Sequence, residues 1–174
     1  MIEFMPDTLS VHALKKKLSQ HNQPDKLQTM AQFYRWYYGP RFEEAQRNFI
    51  RSLAAYSVFC YIFNVKDRHN GNIMLTRFGH ILHIDFGFMF QNSPGGFQIG
   101  FEQAPFKLTQ DYIDLMDGVD SDKFANFKSL VTAGLQEAKK NLDEIEQLIT
   151  ILAKGKSSMR SDALCRQQNA LLHE

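Results

Sequence analysis

The chain has 174 residues, of which 44% are apolar and 22% charged, with a formal net charge of +1. This composition fits one globular domain, is too apolar for a disordered chain, and gives no overall charge signal for nucleic acid. The two cysteines, Cys60 and Cys165, lie far apart, which excludes a disulfide framework or zinc ribbon and indicates a reducing compartment. No apolar run is long enough to span a bilayer, and we expect no signal peptide.

The first half of the chain predicts an extended entry followed by three helices. Residues 1–6 suit a short strand or extended segment that Pro6 ends. Capping residues, glycine stops and apolar periodicity predict helices from Asp7 or Thr8 to about Leu18, from Pro24 to Tyr38 with Gly39 as the stop, and from Pro40 to about Phe63. The last of these is apolar nearly all round in its second half, which predicts a central buried helix.

A β-hairpin and a long loop follow. Residues 72–76 and 80–84 are β-type runs joined by a turn that ends at Gly79. Residues 86–107 show no periodicity, and so long an irregular loop in a compact domain is usually functional. Three more helices are predicted over 109–116, 121–138 and 141–153, with Gly155 as a stop and a poorly ordered polar tail over 156–174.

The chemistry-bearing side chains cluster around the hairpin. Asp67-Arg68-His69-Asn70-Gly71-Asn72 precedes the first strand, and Asp85 ends the second. Because a tight hairpin brings the start of one strand beside the end of the other, Asn72 and Asp85 should be neighbours. An amide oxygen beside a carboxylate is a ligand pair suited to Mg²⁺.

The spacing of these residues indicates phosphoryl transfer. Asp67 and Asn72 have the Asp-x4-Asn spacing of the kinase catalytic loop, in which the aspartate orients the acceptor hydroxyl and the asparagine holds a metal. Asp85-Phe86-Gly87 after a strand is the second metal-binding signature of that chemistry. Either motif alone is weak, whereas the two in this order are a strong signal.

On these motifs the chain resembles the phosphoinositide 3-/4-kinase superfamily, and within it the type III phosphatidylinositol 4-kinases. The similarity is carried by the catalytic-loop, metal-binding and activation-loop segments at residues 64–75, 79–88, 93–96 and 101–109. Shorter segments favour the beta form: 10–12, 15–18, 45–49 and 116–118. The resemblance covers about residues 1–153 and fades in the tail.

The resemblance implies a mainly α fold with a small β-hairpin (α+β), the C-terminal lobe of a protein-kinase-like phosphoinositide kinase domain. Residues 1–155 would be the partial catalytic domain from the hinge onward, and 156–174 the tail. No glycine-rich loop or nucleotide-binding lysine precedes the hinge, so we expect the N-terminal lobe to be absent. The isolated chain should then lose most of its activity, because this chemistry depends on positioning and charge stabilisation.

The same resemblance implies the roles of the site residues. Asp67 would orient or deprotonate the acceptor, and His69 would act near the γ-phosphate. Arg68 would brace the loop and counts with Asp67 and His69 as a catalytic residue, with a purely structural ion pair as an equal alternative to the catalytic role. Asn72 and Asp85 would hold Mg²⁺, or Mn²⁺ in its place.

An adenine site is also implied. Glu3, Phe4 and Met5, together with Ile2, resemble the hinge whose backbone meets the purine. Met74 and Ile84 resemble the apolar floor beneath it, with plain core packing as the alternative. A rival zinc site at His80, His83 and Asp85 is disfavoured because a strand turns residues 80 and 83 to opposite faces.

The activation loop bears on the substrate. Residues 86–106 contain no lysine or arginine, which fits unphosphorylated phosphatidylinositol rather than a phosphorylated inositide. Its many aromatic side chains could contact the bilayer interface or pack onto the lobe. The expected partners are ATP and membrane phosphatidylinositol, with no nucleic acid. The expected location is cytoplasmic and peripheral on intracellular membranes, Golgi-type by resemblance.

Two other functions stay open on the sequence. The protein Ser/Thr kinase branch of the superfamily shares the Asp-Arg-His and Asp-Phe-Gly signatures. A non-catalytic binding or regulatory module is the second alternative, supported by the missing N-terminal lobe.

Overall fold

The computed structural model describes residues 3–20, 27–90 and 104–154. Its elements in chain order are β1 Thr8–Ser10, α1 Val11–Ser19, α2 Met30–Tyr38, a short 3₁₀ helix Gly39–Arg41, α3 Phe42–Phe63, β2 Ile73–Thr76, β3 Ile81–His83, α4 Gln110–Leu115, α5 Asp122–Lys140 and α6 Leu142–Lys154. The predicted class, mainly helical with a small antiparallel sheet, is confirmed.

The sheet has one strand more than the predicted hairpin. β2 and β3 pair antiparallel as expected, and β1 adds to the other edge of β2 with Leu9 opposite Leu75. The predicted start of the first helix at Asp7 or Thr8 is therefore wrong. The helix begins at Val11 because the Ser10 side chain accepts a hydrogen bond from the Ala13 N–H at 3.1 Å and caps it.

The second helix also begins later than predicted. It starts at Met30 and not at Pro24, which lies outside the described residues. Thr29 and Gln32 form a reciprocal capping box, so two otherwise unpaired N–H groups at the helix start are satisfied. Gly39 ends this helix as predicted, with φ of +48°.

The long helix α3 is the centre of the fold and contacts α2, α5 and β3. It ends at Phe63, as the sequence predicts. From Leu53 to Phe63 every residue except Ala55 is buried or half-buried, which confirms a central helix. The core around it contains Phe49, Ile50, Leu53, Tyr34, Ile73, Ile81, Tyr112, Leu115 and Phe127.

The hairpin turn is fixed to the helical layer through Gly79. This residue has φ of +88°, and a Cβ built on it would lie 2.7 Å from the backbone of Ala45 in α3. The Tyr34 hydroxyl donates to the Gly79 carbonyl at 3.1 Å, and the Tyr38 hydroxyl donates to the Thr76 carbonyl at 2.9 Å. Burial raises the pKa of Tyr38 to about 12. The turn and α2 thus form one rigid corner that sets the direction of β2 and β3.

The helices α4, α5 and α6 confirm the three predicted C-terminal helices to within a residue or two. The predictions for Gly155 and for the tail fall outside the described residues. In the parts of the chain that the structure describes, no helix is long and apolar enough to span a bilayer.

Asp117 joins three helices at one point between α4 and α5. Its carboxylate accepts from Arg35 at 2.8 Å, from Lys123 at 2.6 Å and from the buried amide of Gln46 at 3.3 Å. The hydrogen bond from Lys123 is the main cause that holds the pKa of Asp117 below its usual value, and Gln46 and Arg35 act in the same direction.

Asp117→Asn should lower the free energy of unfolding at pH 7 by about 1 kcal/mol or less, because the ion pairs are partly exposed. A lowered folded-state pKa stabilises the fold above the unfolded-state value of about 3.9. That stabilisation is lost as the pH falls through the folded-state value. Urea unfolding from pH 7 down to about pH 2 should therefore show the difference between wild type and variant shrinking towards acid. The exposed Asp120→Asn serves as control, and a difference that stays constant over this range would contradict the assignment.

Candidate active site

The loop after α3 carries the predicted catalytic residues in an unusual backbone conformation. Asn64 ends α3 in the left-handed region with φ of +46°, and Asp67 has φ of +62°. Asparagine and aspartate tolerate this region better than most residues, which explains their presence at both bends. The Asn64 amide nitrogen also donates to the Phe90 carbonyl at 2.6 Å, so the loop is fixed at its first residue.

Asn72 closes the loop onto itself and onto the sheet. Its side-chain nitrogen donates to the Asp67 carbonyl at 2.9 Å, and its N–H donates to the His69 carbonyl at 3.0 Å. Its own carbonyl accepts from the Ile84 N–H at 3.0 Å. The Asn72 side chain is buried, and its amide nitrogen donates to the Asp67 carbonyl. The amide oxygen is the side-chain atom with lone pairs for a cation.

Arg68 ties the loop to the end of β3. The side chain is only 2% exposed and donates to the carbonyls of Lys66 at 3.0 Å, Ile84 at 2.8 Å and Asp85. Its guanidinium also lies 5.4 Å from the centre of the Phe86 ring. The partners that the described residues provide for Arg68 are main-chain carbonyls, and not the carboxylate that the ion-pair interpretation requires. These bonds brace the loop between Asp67 and Asp85.

His69 and Asp67 face each other at the edge of the site. His69 Nε2 lies 3.9 Å from Asp67 Oδ1, and His69 Nδ1 accepts from the Gly71 N–H at 3.0 Å. With Nδ1 acting as acceptor, the proton of the neutral ring is on Nε2, towards the carboxylate. A Cβ on Gly71 would lie 2.8 Å from the His69 ring, so a larger residue there would make the imidazole move. The glycine between the two asparagines therefore leaves space for the imidazole in this position.

Asp85 lies just beyond the end of β3 and is exposed. It has φ of +58°, and its Oδ1 accepts from the Gly87 N–H at 3.3 Å. Together with the Asn72 amide oxygen it offers the hard oxygen donors that Mg²⁺ prefers, so these two residues fit a divalent cation.

The residues proposed for adenine contact lie outside the core. Met74 pairs with Leu82 across the sheet and is half-buried, and Ile84, two residues beyond Leu82, is 40% exposed. Both lie on the face opposite the buried Ile73 and Ile81, so the structure does not support the alternative of plain core packing. At the chain start Glu3, Phe4 and Met5 are exposed, Phe4 by 86%, and Ile2 lies outside the described residues.

His83 is engaged in the core and, unlike Asp85, is not exposed. Its ring stacks on Tyr56 with centroids 4.3 Å apart, and its Nδ1 lies 3.6 Å from Cys60 Sγ. Burial, reinforced by the positive charges of Arg68 and Lys107, lowers the pKa of His83 to about 3. Among the described residues no group of three or more His, Cys, Asp or Glu side chains is arranged to hold a metal, and His83 does not support the zinc alternative.

The first residues of the activation loop pack onto the lobe. Phe86 lies edge-on to Phe59 at 5.6 Å, and Phe90 lies edge-on to Phe63 at 5.9 Å. The main chain adds hydrogen bonds from the Lys66 N–H to the Phe88 carbonyl and from the Phe90 N–H to the Phe63 carbonyl, both at 2.8 Å. For these aromatic residues the structure favours packing over membrane contact. Phe97, Ile99 and Phe101 lie outside the described residues.

Lys107 and Asn70 lie at the site but have no role in the sequence-based prediction. Lys107 donates through Nζ to the Arg68 carbonyl at 3.0 Å and to Asn70 Oδ1 at 2.8 Å. The one available signal is that Lys107 is the first cation after residues 86–106, which contain no lysine or arginine.

Comparison with known proteins identifies a family. The profile described as phosphatidylinositol 3- and 4-kinase matches residues 3–159, most of the chain. The match confirms the resemblance inferred from the catalytic-loop and Asp-Phe-Gly motifs.

Curated relatives carry matching names. The chain is 48% identical over 159 residues to the phosphatidylinositol 4-kinase of Dictyostelium discoideum, covering 89% of this chain and 13% of that protein. It is 43% identical to phosphatidylinositol 4-kinase beta 1 of Arabidopsis thaliana, covering 87% and 14% respectively. It is also 43% identical to phosphatidylinositol 4-kinase beta of Sorex araneus, covering 89% and 19%. The chain thus spans less than a fifth of the length of each of these three relatives.

Proposed function

This chain belongs to the phosphatidylinositol 3- and 4-kinase family, and we propose that it supplies the acceptor-side and metal-binding residues of an ATP-dependent phosphatidylinositol 4-kinase. One observation carries the proposal. The buried Arg68 bonds to the carbonyls of Ile84 and Asp85, while Asn72 bonds to the carbonyl of Asp67. These bonds support a common site for Asp67, Asn72 and Asp85, as in-line phosphoryl transfer needs.

In the proposed reaction Asp67 orients the inositol hydroxyl and accepts its proton. The hydroxyl oxygen forms a bond to the γ-phosphorus as the bond from that phosphorus to the bridging oxygen of ADP breaks. The Nε2–H of His69, on the side of Asp67, would donate to an oxygen of the transferring group. Mg²⁺ or Mn²⁺, held by Asn72 and Asp85, would neutralise charge on the β- and γ-phosphates.

The proposed substrates follow from the chemistry of the site. Half-buried Met74 and exposed Ile84 would offer an apolar face for the purine, and Glu3, Phe4 and Met5 the backbone beside it. The absence of lysine and arginine from residues 86–106 favours phosphatidylinositol without ring phosphates. The 4-position follows from the names of the relatives. A lipid acceptor implies peripheral attachment to intracellular membranes, which we propose as the location.

The test uses the protein as its own cells make it, affinity-tagged at the endogenous gene. The purified protein is given labelled ATP with either phosphatidylinositol vesicles or a Ser/Thr peptide, and the lipid product is deacylated to identify the ring position. We expect label at the inositol 4-hydroxyl and none on the peptide. Preferential labelling of the peptide would favour the protein-kinase branch. Specific vesicle binding without any label would favour a non-catalytic module.

A further inference from the structure

Lys107 connects the far end of the activation loop to the catalytic loop. It lies three residues before the start of α4 at Gln110 and is half-buried. Its ammonium group donates to the main-chain carbonyl of Arg68 and to the side-chain oxygen of Asn70. Arg68 and Asn70 flank His69, so a single cation bridges the two residues on either side of a proposed catalytic group.

The residues that Lys107 contacts are held from other directions as well. The Asn70 carbonyl accepts from the His12 N–H at the start of α1, at 2.9 Å. The Arg68 side chain is bonded to the end of β3 through Ile84 and Asp85. Lys107 therefore adds a contact from the segment before α4 to a loop that α1 and β3 also hold. A displacement of Lys107 would shift the part of the loop around His69 relative to Asp67.

Both described ends of the activation loop attach to the same short segment. At the near end, Phe88 and Phe90 bond to Lys66 and Phe63 through the main chain. At the far end, Lys107 bonds to the peptide of Arg68 and to Asn70. The catalytic loop and the end of α3 thus bond to both described ends of the activation loop.

We propose that Lys107 is a positioning residue for phosphoryl transfer, acting through Asn70 and the Arg68 peptide on Asp67 and His69. This inference rests on the function proposed above and adds a specific coupling between the activation loop and the catalytic loop. Because small misplacements of catalytic groups have large rate effects, loss of the ammonium group should lower kcat for lipid phosphorylation about 10- to 100-fold. The KM for ATP should change little, since Lys107 bonds to Arg68 and Asn70, neither of which is proposed to bind the nucleotide.

The test introduces Lys107→Met at the endogenous gene and compares kcat, KM for ATP and thermal midpoint with those of wild type. Lys107→Arg keeps a cationic donor and should recover much of the lost kcat. Lys128→Met is the matched control, because it removes a lysine that lies over Phe124 in α5, away from the site. A Lys107→Met protein with wild-type kcat would overturn the proposal, as would a loss of kcat that Lys107→Arg does not restore.

A double-mutant cycle and hydrogen exchange separate this inference from the proposed function. If Lys107 acts through Asn70, the Asn70→Ala and Lys107→Met variant should be hardly slower than the worse single variant. Amides of residues 66–72 should also exchange faster in Lys107→Met, whether or not the protein phosphorylates lipid. If the wild-type protein is inactive but the loop amides exchange faster in Lys107→Met, the proposed function is rejected and the coupling of Lys107 to the catalytic loop is kept. Unchanged exchange of the loop amides would reject that coupling.

Discussion

Asp85→Asn should lower kcat for phosphoryl transfer on the order of 1000-fold and leave the fold intact. The carboxylate is the one full negative charge in the proposed metal-binding pair, and an amide oxygen in its place binds a divalent cation far more weakly. Asparagine is the informative replacement because Asp85 has φ of +58°. Asparagine tolerates that left-handed conformation, whereas alanine would add backbone strain to the loss of charge.

Three measurements check this expectation: the turnover of phosphatidylinositol, the dependence of the rate on Mg²⁺ and the thermal midpoint. Asp7→Asn is a matched control, because Asp7 also has a positive φ, of +54°, and lies in an exposed pair with Arg77 at 3.4 Å. It should keep wild-type turnover. Lipid kinase activity retained by Asp85→Asn at low Mg²⁺ would contradict the metal assignment.

Gly79→Ala should be among the most destabilising single substitutions in the chain. Two terms add at this position: the left-handed backbone costs about 1–2 kcal/mol for a residue with a Cβ, and overpacking costs about 1–3 kcal/mol. The clash would be with the backbone of Ala45 at 2.7 Å, which cannot rotate away as a flexible side chain could. We expect the free energy of unfolding to fall by about 2–5 kcal/mol.

Gly118→Ala separates the two terms. Gly118 has φ of +96°, but a Cβ built there has nothing within 4 Å. Its cost should be the conformational part alone, about 1–2 kcal/mol. Urea unfolding of both variants provides the comparison. Equal losses for Gly79→Ala and Gly118→Ala would mean that the turn moves away from α3 without cost, and that the packing of Gly79 on Ala45 contributes nothing.

The larger elements could be predicted because their signals are local. Gly39 at the end of α2, the apolar periodicity of α3 and the turn ending at Gly79 each lie within the segment that they define. The starts of α1 and α2 were missed for different reasons. β1 has three residues, too few for a period-2 pattern, and it forms by pairing with distant β2. At α2, Pro24 competed with the capping box of Thr29 and Gln32, which lies at the true start.

The features of the candidate site also fall into two groups: those that the sequence predicts and those that only the structure shows. The spacing of Asp67, Asn72 and Asp85 is a property of a loop and a hairpin, so it can be read along the chain. The partners of Arg68 are main-chain carbonyls, which have no sequence signature, and an ion pair was an equally reasonable expectation. The contact of Lys107 with Asn70 joins residues far apart in the chain, and only the folded structure brings them together.

The attachment of the activation loop at its near end bears on how this family can evolve. The Lys66 N–H bonds to the Phe88 carbonyl, and the Phe90 N–H bonds to the Phe63 carbonyl. Main-chain bonds persist whatever side chain is present, except where proline removes the donor. Lineages can therefore exchange the side chain at position 88 without redirecting the loop. Proline at position 66 or 90 is the change that selection should remove.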